Sequence, residues 1–385
     1  MDTFTTPLNW QKVRLGDIFF ITAGGDLSKP HYSNTKQSDF NYPIYSNAIE
    51  KKGLYGYSSF FTIKNKSITI TARGTIGVAF FRDYPYVPIG RLLVLQPKIS
   101  NIDCRFYTEY INLKVKFNTE QTTIPQLTIP KVALCEIPLP PLNEQAAIAN
   151  ILSDVDRYLC SLDALILKKE SVKKALSFEL LSQRKRLKGF NQAWQRVRLG
   201  DIAEIKRGAS PRPIENPKWF CTNSNVGWVR ISDISKNSRF LYKTAQKLSK
   251  KGIEKSRFIK QNSLIMSMCA TIGKPIITKI DTCIHDGFVV FENPKIDLNY
   301  LYYFLCYIEK EWLESGQQGS QVNLNVDLIK NKEVFYPKDL NEQIAIANIL
   351  SDLDSEIISL KNKKRQFENI KKALNHDLMS AKIRV

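Results

Sequence analysis

Two stretches of the chain carry apolar side chains at the alternating three- and four-residue spacing of a long helix with one narrow apolar stripe. Neither proline nor glycine interrupts the first stretch between Pro141 and Arg186. Its stripe consists of Leu152, Val155, Leu159, Leu162 and Ile166. The second stripe consists of Leu350, Leu353, Ile357 and Leu360, followed by Phe367, Ile370, Leu374 and Leu378. The other helix positions are rich in lysine and acidic residues, as solvated faces are.

This spacing predicts two helices, each roughly 63 Å long at 1.5 Å per residue. Two such helices in one chain pack most simply on each other, as an antiparallel coiled coil whose seam the two stripes form. The phase of the second stripe is imperfect, because Lys364 interrupts it. The alternative, in which each helix packs on the globular part that precedes it, stays open at this point.

The regions that precede the stripes are rich in strand patterns and also contain helical ones. Alternating or continuous apolar patterns typical of strands occur at residues 67–72, 91–95, 262–267 and 288–291. Amphipathic helical patterns occur at residues 105–118 and 298–315. These regions are therefore expected to have an α+β fold.

The sequence contains an internal repeat. Residues 10–18, Trp-Gln-Lys-Val-Arg-Leu-Gly-Asp-Ile, return at 194–202 as Trp-Gln-Arg-Val-Arg-Leu-Gly-Asp-Ile. Residues 142–186, which begin Leu-Asn-Glu-Gln, return at 340–384. Two copies are too few for a solenoid, and they are what an internal pseudo-twofold requires, where one chain imitates a symmetric dimer.

We therefore divide the chain into two globular bodies and two spacer helices. The bodies span residues 1–141 and 189–339, and the spacer helices span 142–188 and 340–385. The two helices match each other well in sequence, whereas the two bodies match only faintly. We therefore expect the bodies and the helices to have different roles.

The charge balance points to a polyanionic partner. The 385 residues include 56 Lys+Arg against 37 Asp+Glu, a formal net charge of +19, and nucleic acid is the simplest partner for such a surplus. The surplus is spread over bodies and helices rather than gathered in a tail, so it belongs to folded surfaces. A basic protein without such a partner would show the same excess, so charge alone does not decide.

Catalytic motifs are missing from the sequence. It has no phosphate-binding G-x-x-x-x-G-K-[ST] loop, no dinucleotide-binding G-x-G-x-x-G, no Asn/Asp-Pro-Pro-Tyr/Phe motif of amino-methyltransferases and no carboxylate cluster of a nuclease. His31, His285 and His376 have no consistent partners in the two copies, and His285 is interpreted as a surface or capping histidine rather than a catalytic base. We expect a protein that is not an enzyme.

Cysteine usage and hydropathy bear on the compartment. The seven cysteines form no C-x-x-C pair and the chain has three histidines, so a zinc site is not expected. No run of 18 apolar residues predicts a membrane span, and the first residues lack the apolar core of a signal peptide. We expect a cytoplasmic protein with reduced thiols and no membrane partner.

An ordered set of short motifs, in two copies, resembles the specificity subunit of type I restriction–modification systems. In the first copy they are Val13-Arg-Leu-Gly-Asp-Ile18, Ala72-Arg-Gly-Thr-Ile-Gly77 and Pro138-Leu-Pro-Pro-Leu-Asn-Glu-Gln145. In the second copy they are Val197-Arg-Leu-Gly-Asp-Ile202, Arg207-Gly-Ala-Ser-Pro-Arg212, Trp228-Val-Arg-Ile-Ser-Asp233 and Asn341-Glu-Gln343. The second copy departs from the pattern at residues 337–339, where Pro-Lys-Asp replaces the Pro-Leu-Pro-Pro of the first.

The resemblance implies a function for each segment. The bodies would be target recognition domains, each reading one short half of a bipartite double-stranded DNA target, and the helices would set the unread gap. Two modification subunits, which methylate adenine, would dock on this chain, with two restriction subunits as optional further partners. S-adenosylmethionine, ATP and Mg²⁺ would belong to those subunits, and this chain would bind no cofactor.

DNA-binding residues are predicted in polar stretches where the two bodies differ. Lysine and arginine bind phosphates, and arginine, serine and amide side chains also read base edges. In the first body the predicted residues are Tyr45, Ser46, Asn47, Lys64, Lys66, Arg73, Gln121 and Thr122. In the second body they are Arg207, Ser210, Arg212, Arg230, Gln317, Gln318, Gln321 and Asn323.

A second hypothesis is a non-catalytic, two-headed scaffold that binds nucleic acid or protein, with the helices as its partner site. Sequence-specific duplex binding and scaffolding differ in the salt dependence of DNA binding and in competition by unrelated DNA.

Overall fold

The computed structural model describes residues 10–117, 125–314, 324–383 and 385, and it divides into two compact units. Unit 1 comprises Met1–Ala164 and Asn362–Val385, and unit 2 comprises Leu165–Lys361. Each cut falls inside a long helix, so each unit contains a part of both long helices.

The elements that begin in unit 1 are short strands and helices followed by one long helix. The strands are β1 (Gln11–Arg14), β2 (Phe19–Ala23), β3 (Tyr32–Ser33), β4 (Tyr42–Tyr45), β5 (Leu54–Ser58), β6 (Ser67–Ile70), β7 (Ala79–Arg82), β8 (Val87–Pro88), β9 (Leu93–Pro97) and β10 (Glu136–Leu139). The helices are α1 (Leu15–Ile18), α2 (Cys104–Lys114), α3 (Ile129–Ala133) and α4 (Leu142–Leu181).

Three sheets form the body of unit 1. An antiparallel sheet has the strand order β2-β9-β6-β7, a second sheet has the order β3-β5-β4-β8 with β4 and β8 parallel, and β1 pairs with β10 as an antiparallel ribbon. The main core lies between the first sheet and α2, where Phe19, Ile70, Leu95 and Tyr107 are buried. Residues 91 and 92 were predicted as strand but precede β9, because Gly90 and Arg91 have positive φ and form a turn.

The elements that begin in unit 2 include counterparts of those in unit 1 together with additional short helices and strands. The strands are β11 (Trp194–Arg198), β12 (Glu204–Arg207), β13 (Gly227–Val229), β14 (Phe240–Leu241), β15 (Gln246–Lys247), β16 (Arg257–Ile259), β17 (Leu264–Ser267), β18 (Pro275–Thr278), β19 (Thr282–Ile284), β20 (Phe288–Glu292) and β21 (Glu333–Pro337). The helices are α5 (Leu199–Ile202), α6 (Ile231–Ser235), α7 (Lys250–Glu254), α8 (Leu298–Tyr307), α9 (Glu309–Glu314), α10 (Val326–Asn331) and α11 (Leu340–Leu378).

The topology of unit 1 recurs in unit 2. The sheet β12-β20-β17-β18 corresponds to β2-β9-β6-β7 and gains β14 at one edge, and the ribbon β11-β21 corresponds to β1-β10. In the second sheet, β15-β13-β19-β16, the parallel pair β13 and β19 corresponds to β4 and β8. Although the bodies match faintly in sequence, the ribbon and the four shared strands of the first sheet have the same order in both, whereas the second sheets differ in the strands beside the parallel pair. The α+β prediction is confirmed.

Ion pairs between α4 and α11 fix the direction of the helices within each unit. In unit 1, Lys371 contacts Asp156 at 2.7 Å and Lys364 contacts Asp163 at 2.7 Å. In unit 2 the same helices meet through Lys169 and Glu356 at 2.7 Å, among other pairs. In each unit a higher residue number on one helix goes with a lower number on the other, so the predicted antiparallel pairing is confirmed.

The predicted seam residues are buried to different degrees. Leu152, Leu162, Leu350 and Ile357 are buried, whereas Val155, Leu159, Leu353 and Leu360 are half-buried. The stripe was wrong at Ile370, which is 51% exposed. Lys371 faces α2 and α4 in its place, because its ammonium group contacts carboxylates on both helices.

The repeated Asn-Glu-Gln segment joins each body to the start of its long helix. The buried Gln145 accepts the main-chain N–H of Asp103 at 2.9 Å and donates to the carbonyl of Pro140 at 2.8 Å. Gln343 accepts the N–H of Asp297 at 2.7 Å and donates to the last carbonyl of β21 at 2.9 Å. Because Asp103 and Asp297 cap α2 and α8, one glutamine ties together a helix cap, a strand end and the long helix.

The glutamate of the same segment holds the tryptophan that opens each repeat. The indole Nε1 of Trp10 donates to Glu144 at 3.1 Å, and that of Trp194 donates to Glu342 at 3.3 Å. The carboxylate of Glu342 is fully buried and also accepts two hydrogen bonds from Arg186, at 3.0 and 2.9 Å. The best-matched segments of the two copies are thus the ones that build this junction.

Replacing Gln145 or Gln343 by alanine is expected to destabilise the corresponding unit by about 2–3 kcal/mol, because each change leaves a buried N–H and a buried carbonyl without a partner. Asn143 and Asn341 occupy the same segment with exposed side chains, so their alanine variants should stay within about 0.5 kcal/mol of the wild type. Urea unfolding of the full chain measures the free energy of unfolding of each variant. Equal losses for the glutamine and asparagine variants would contradict the proposed role of the glutamines at this junction.

Candidate nucleic-acid interface

The turn that follows the central strand of the first sheet has the same structure in both units. In unit 1 the hydroxyl of Thr71 donates to the carbonyl of Thr75 at 2.5 Å, and in unit 2 Ser267 donates to Thr271. The turn ends at Gly77, φ +89°, where a side chain would meet the ring of Phe117 at 2.9 Å. The repeated Thr-Ile-Gly therefore fixes the backbone of a turn that carries Arg73 in unit 1.

Two predicted segments lie outside the described residues, but the residues that follow them contact this turn. The N–H of Leu127 donates to Ala72 at 2.9 Å, and the N–H of Leu324 donates to Met268 at 3.0 Å. The predictions outside the description are Gln121, Thr122, Gln317, Gln318, Gln321 and Asn323.

Asn47 distinguishes the turn of unit 1 from that of unit 2. Its amide donates to the carbonyl of Gly90 at 2.6 Å and accepts the N–H of Ala72 at 2.7 Å. In unit 2 the corresponding main-chain groups bond directly, from Met268 to Gly287 at 2.8 Å. The side chain of Asn47 thus separates two strand ends that meet in the other copy.

The other predicted residues of the first body divide into buried and exposed ones. Tyr45 lies in the core, with its hydroxyl 2.7 Å from that of Tyr84 and its ring 3.5 Å from the guanidinium of the buried Arg82. Ser46 is half-buried, and Lys64, Lys66 and Arg73 are exposed. In this chain Tyr45 and Asn47 therefore serve the fold, and the exposed cations remain the predicted DNA contacts of unit 1.

Arg91 is an exposed cation of unit 1 that the sequence reasoning missed. It has φ +66°, a left-handed conformation that a residue with a side chain rarely adopts, and follows directly on the glycine that Asn47 holds. No sequence signal marked it, because residues 91–95 read as one strand.

In unit 2 the predicted residues come together around Asp286, in the loop between β19 and β20. The hydroxyl of Ser210 donates to Oδ1 of Asp286 at 2.7 Å, and Arg212 donates to Oδ2 at 3.2 Å. Arg207 donates through Nε to the carbonyl of Asp286 at 2.7 Å. The hydrogen bond from Ser210 lowers the pKa of Asp286, so the carboxylate is ionised at neutral pH.

Ser210, Arg212 and Asp286 line a cleft of about 550 Å³, which we call the unit 2 cleft. Its polar walls are formed by Ser210, Arg212, Glu215, Arg230, His285 and Asp286. Burial lowers the pKa of His285, and its Nδ1 accepts the N–H of Gly287 at 2.9 Å, as a capping histidine does. From the sequence, His285 is interpreted as a surface or capping histidine, and Asp286 is not among the predicted DNA-binding residues.

The charge pattern of the cleft suits contacts with both the phosphates and the bases of DNA. The exposed Arg212 and Arg230 line the cleft together with the carboxylates of Asp286 and Glu215, and the exposed Arg207 bonds the main chain of Asp286 beside it. Arginine binds phosphates and also donates two parallel hydrogen bonds to guanine, which makes such a cluster suited to both tasks.

Metal-ligand groups and membrane-spanning helices are both absent from the described part of the chain. Among those residues no three or more histidine, cysteine or carboxylate side chains are grouped as metal ligands. None of the described helices is both long enough and apolar enough to cross a membrane.

Replacing Asn47 by alanine is expected to lower the stability of unit 1 by about 1–3 kcal/mol, because the buried N–H of Ala72 loses its acceptor. Asn47→Asp keeps an acceptor for that N–H but turns a second carboxylate oxygen toward the carbonyl oxygen of Gly90, so at neutral pH it should destabilise unit 1 at least as much as alanine does. The exposed Asn65 provides the matched control, Asn65→Ala. Thermal unfolding distinguishes the three, and an unchanged Asn47→Ala variant would contradict the bridging role.

Comparison with known proteins shows which family this chain matches. The family model described as "Type I restriction modification DNA specificity domain" matches residues 7–169 and again 191–369. The MjaVIII type I restriction enzyme specificity subunit of Methanocaldococcus jannaschii is 27% identical over 421 residues, covering 100% of this chain and 95% of that protein. The putative type I specificity subunit S.MpnORF89P of Mycoplasma pneumoniae is 32% identical over 159 residues, covering 40% of this chain and 47% of that protein.

Solved structures share the fold at low sequence identity. The S subunit of a type I restriction–modification system from M. genitalium superposes with a TM-score of 0.67 at 18% identity, over 98% of this chain and 97% of that one. A chain from a structure of type I R-M complex assembly and conformational transition gives 0.55 at 14%, over 98% and 99%. The family match extends over both copies of the repeat, and the chain therefore belongs to the type I restriction–modification DNA specificity family, as a non-catalytic specificity subunit.

Proposed function

We propose that each unit reads one half of a bipartite duplex DNA target, with an unread gap between the halves. In this proposal the chain positions two modification subunits, which methylate adenine in the halves, and restriction subunits join the same complex. The chain contributes sequence recognition and the docking frame, and its partners contribute the chemistry.

The observation that carries the proposal is one topology with two different surfaces. Unit 1 presents Arg73 and Arg91 beside a turn that Asn47 holds open, whereas unit 2 presents Arg212 and Arg230 in a cleft organised by Asp286. Base sequence is read by side chains at the protein surface. Because the two units share a fold but carry different surface side chains, they should read different base sequences. A continuous palindrome is therefore not the expected target.

The charge of the chain supports DNA as the ligand. A net charge of +19 favours binding to the phosphate backbone, independent of sequence, which steers the protein to DNA and fixes its register. Discrimination between sequences must then come from the smaller number of side chains that reach the bases.

The related proteins support membership of a larger complex. The Methanocaldococcus jannaschii relative, which matches over the full length of this chain, is named as the specificity subunit of a type I restriction enzyme. By the proposal S-adenosylmethionine, ATP and Mg²⁺ are bound by the modification and restriction subunits, in keeping with the absence of the corresponding motifs from this sequence.

Removing one arginine from each unit tests whether the halves are independent. Arg230→Gln should relax base preference in one half-site and Arg73→Gln in the other, each by about 1–3 kcal/mol if the side chain contacts a base. Sequencing the methylated sites of a host that carries the chain with its modification subunits gives both halves at once. Lys236→Gln removes an exposed charge of unit 2 outside the cleft and should leave both halves unchanged. Simultaneous relaxation of both halves by either variant would overturn independent reading.

The purified chain, without partners, is expected to bind a duplex that carries its target but to transfer no methyl group and cut no strand. The assay combines the duplex with S-adenosylmethionine, ATP and Mg²⁺, and the chain reconstituted with modification subunits serves as the positive control. Methyl transfer by the chain alone would refute the division of labour, and target binding weaker than binding to a scrambled duplex would favour the scaffold hypothesis.

A further inference from the structure

We infer that Asp286 is a positioning residue of unit 2, which holds Arg212 so that this arginine reads a guanine in the half-site of that unit. The inference rests on the proposed function and deepens it, because it names one residue that fixes base preference and the base that is preferred.

The geometry brings separate parts of the chain to one carboxylate. Ser210 and Arg212, in the segment that follows β12, each donate to a different oxygen of Asp286, and Arg207 donates to its carbonyl. Arg257 in turn donates to the carbonyl of Arg207 at 2.5 Å, so the start of the segment is held from a further strand. The segment and the β19–β20 loop are thereby fixed relative to each other.

Stability does not account for this arrangement. The side chain of Arg212 is 80% exposed and that of Asp286 is 40% exposed. Exposed ion pairs of this kind contribute little to folding, because water screens the charges and the long side chain loses conformational freedom. An arginine side chain that is already restricted before DNA binds loses less conformational entropy on binding. The pair is therefore expected to act on DNA binding rather than on folding.

A carboxylate at this position also works against simple phosphate binding. Each acid on a basic DNA-binding surface repels the backbone and offsets one favourable contact. A surface that bound only phosphates would be better without Asp286, whereas a surface that reads bases needs an arginine held in one orientation. The observed pair fits the second task.

The remaining donors of Arg212 indicate which base is read. A guanidinium group has five N–H donors in a fixed plane, and one Nη of Arg212 is committed to Asp286. The other donors are exposed and can bond two acceptors side by side, which guanine offers in the major groove as O6 and N7. We therefore expect a guanine in the half-site that unit 2 reads.

The test compares Asp286→Asn with wild type in the complete complex of this chain and its modification subunits. Methyl transfer is measured on duplexes in which each position of the unit 2 half-site carries each of the four bases. The wild type should prefer guanine at one position, and Asp286→Asn should lose about 10-fold of that preference, because the neutral amide no longer orients the guanidinium group. Asp286→Glu should keep part of the preference, as it restores the charge.

The matched control is Glu215→Gln, which removes one negative charge from the same cleft without a described contact to the arginines. Both variants should bind a non-target duplex more tightly than wild type, because each lowers repulsion of phosphate. Of these two variants only Asp286→Asn should lose guanine preference, and preference in the half-site of unit 1 should be unchanged in every variant. A misfolded unit 2 would weaken non-target binding instead.

The outcomes separate this inference from the proposed function. A wild-type half-site without guanine, or an Asp286→Asn variant with full guanine preference, overturns the inference and leaves two-half reading intact. A wild-type complex that methylates without preference in either half overturns the proposed function itself. Equal loss of preference in Glu215→Gln and Asp286→Asn would mean that the cleft acts by net charge, and this also overturns the positioning role.

Discussion

The hydrogen bonds that Gln145 and Gln343 form at the start of each long helix are the constraint on which the rest of this structure depends. Each amide bonds the N–H of a helix-capping aspartate and the carbonyl at the end of the closing strand, so a body and its long helix share one buried joint. Without a partner these buried groups would cost several kcal/mol. Because both copies need the same joint, they share the same residues there.

Beyond the joint, the two units fasten their bodies to the helix pair with different chemistry. In unit 1 the carboxylate of Glu109 on α2 accepts from Asn375 at 3.1 Å and faces Lys371, and burial raises its pKa. In unit 2 the hydroxyl of Tyr303 on α8 donates to Asp354 at 2.8 Å. The shared fold therefore accepts the carboxyl group of Glu109 in unit 1 and the hydroxyl group of Tyr303 in unit 2, as long as each polar atom near the core keeps a partner.

The same freedom extends to the surfaces that we propose contact DNA. The turn is held by main-chain bonds, by glycine and by the hydroxyl of Thr71 or Ser267, so an exposed side chain beside it, such as Arg73, can change at little cost to the fold. Asn47 in one unit and Asp286 in the other illustrate the result, because each organises its neighbourhood through contacts that the other unit lacks. A frame built twice, with different side chains at the same edge, is a direct way to specify two unlike half-sites.

The sequence by itself determined the repeat, the two long helices and the α+β class of the bodies, because periodicity and duplicated motifs are local properties of the chain. It favoured the antiparallel helix pairing, which the ion pairs between the helices then confirmed. It also named Arg207, Ser210, Arg212 and Arg230, but not the acid that gathers the first three. Only the tertiary structure decided that Asp286 receives them, that Asn47 bonds main-chain groups and that Lys371 replaces Ile370 in the seam. These contacts join residues far apart in the chain, and their distances depend on how strands and helices pack.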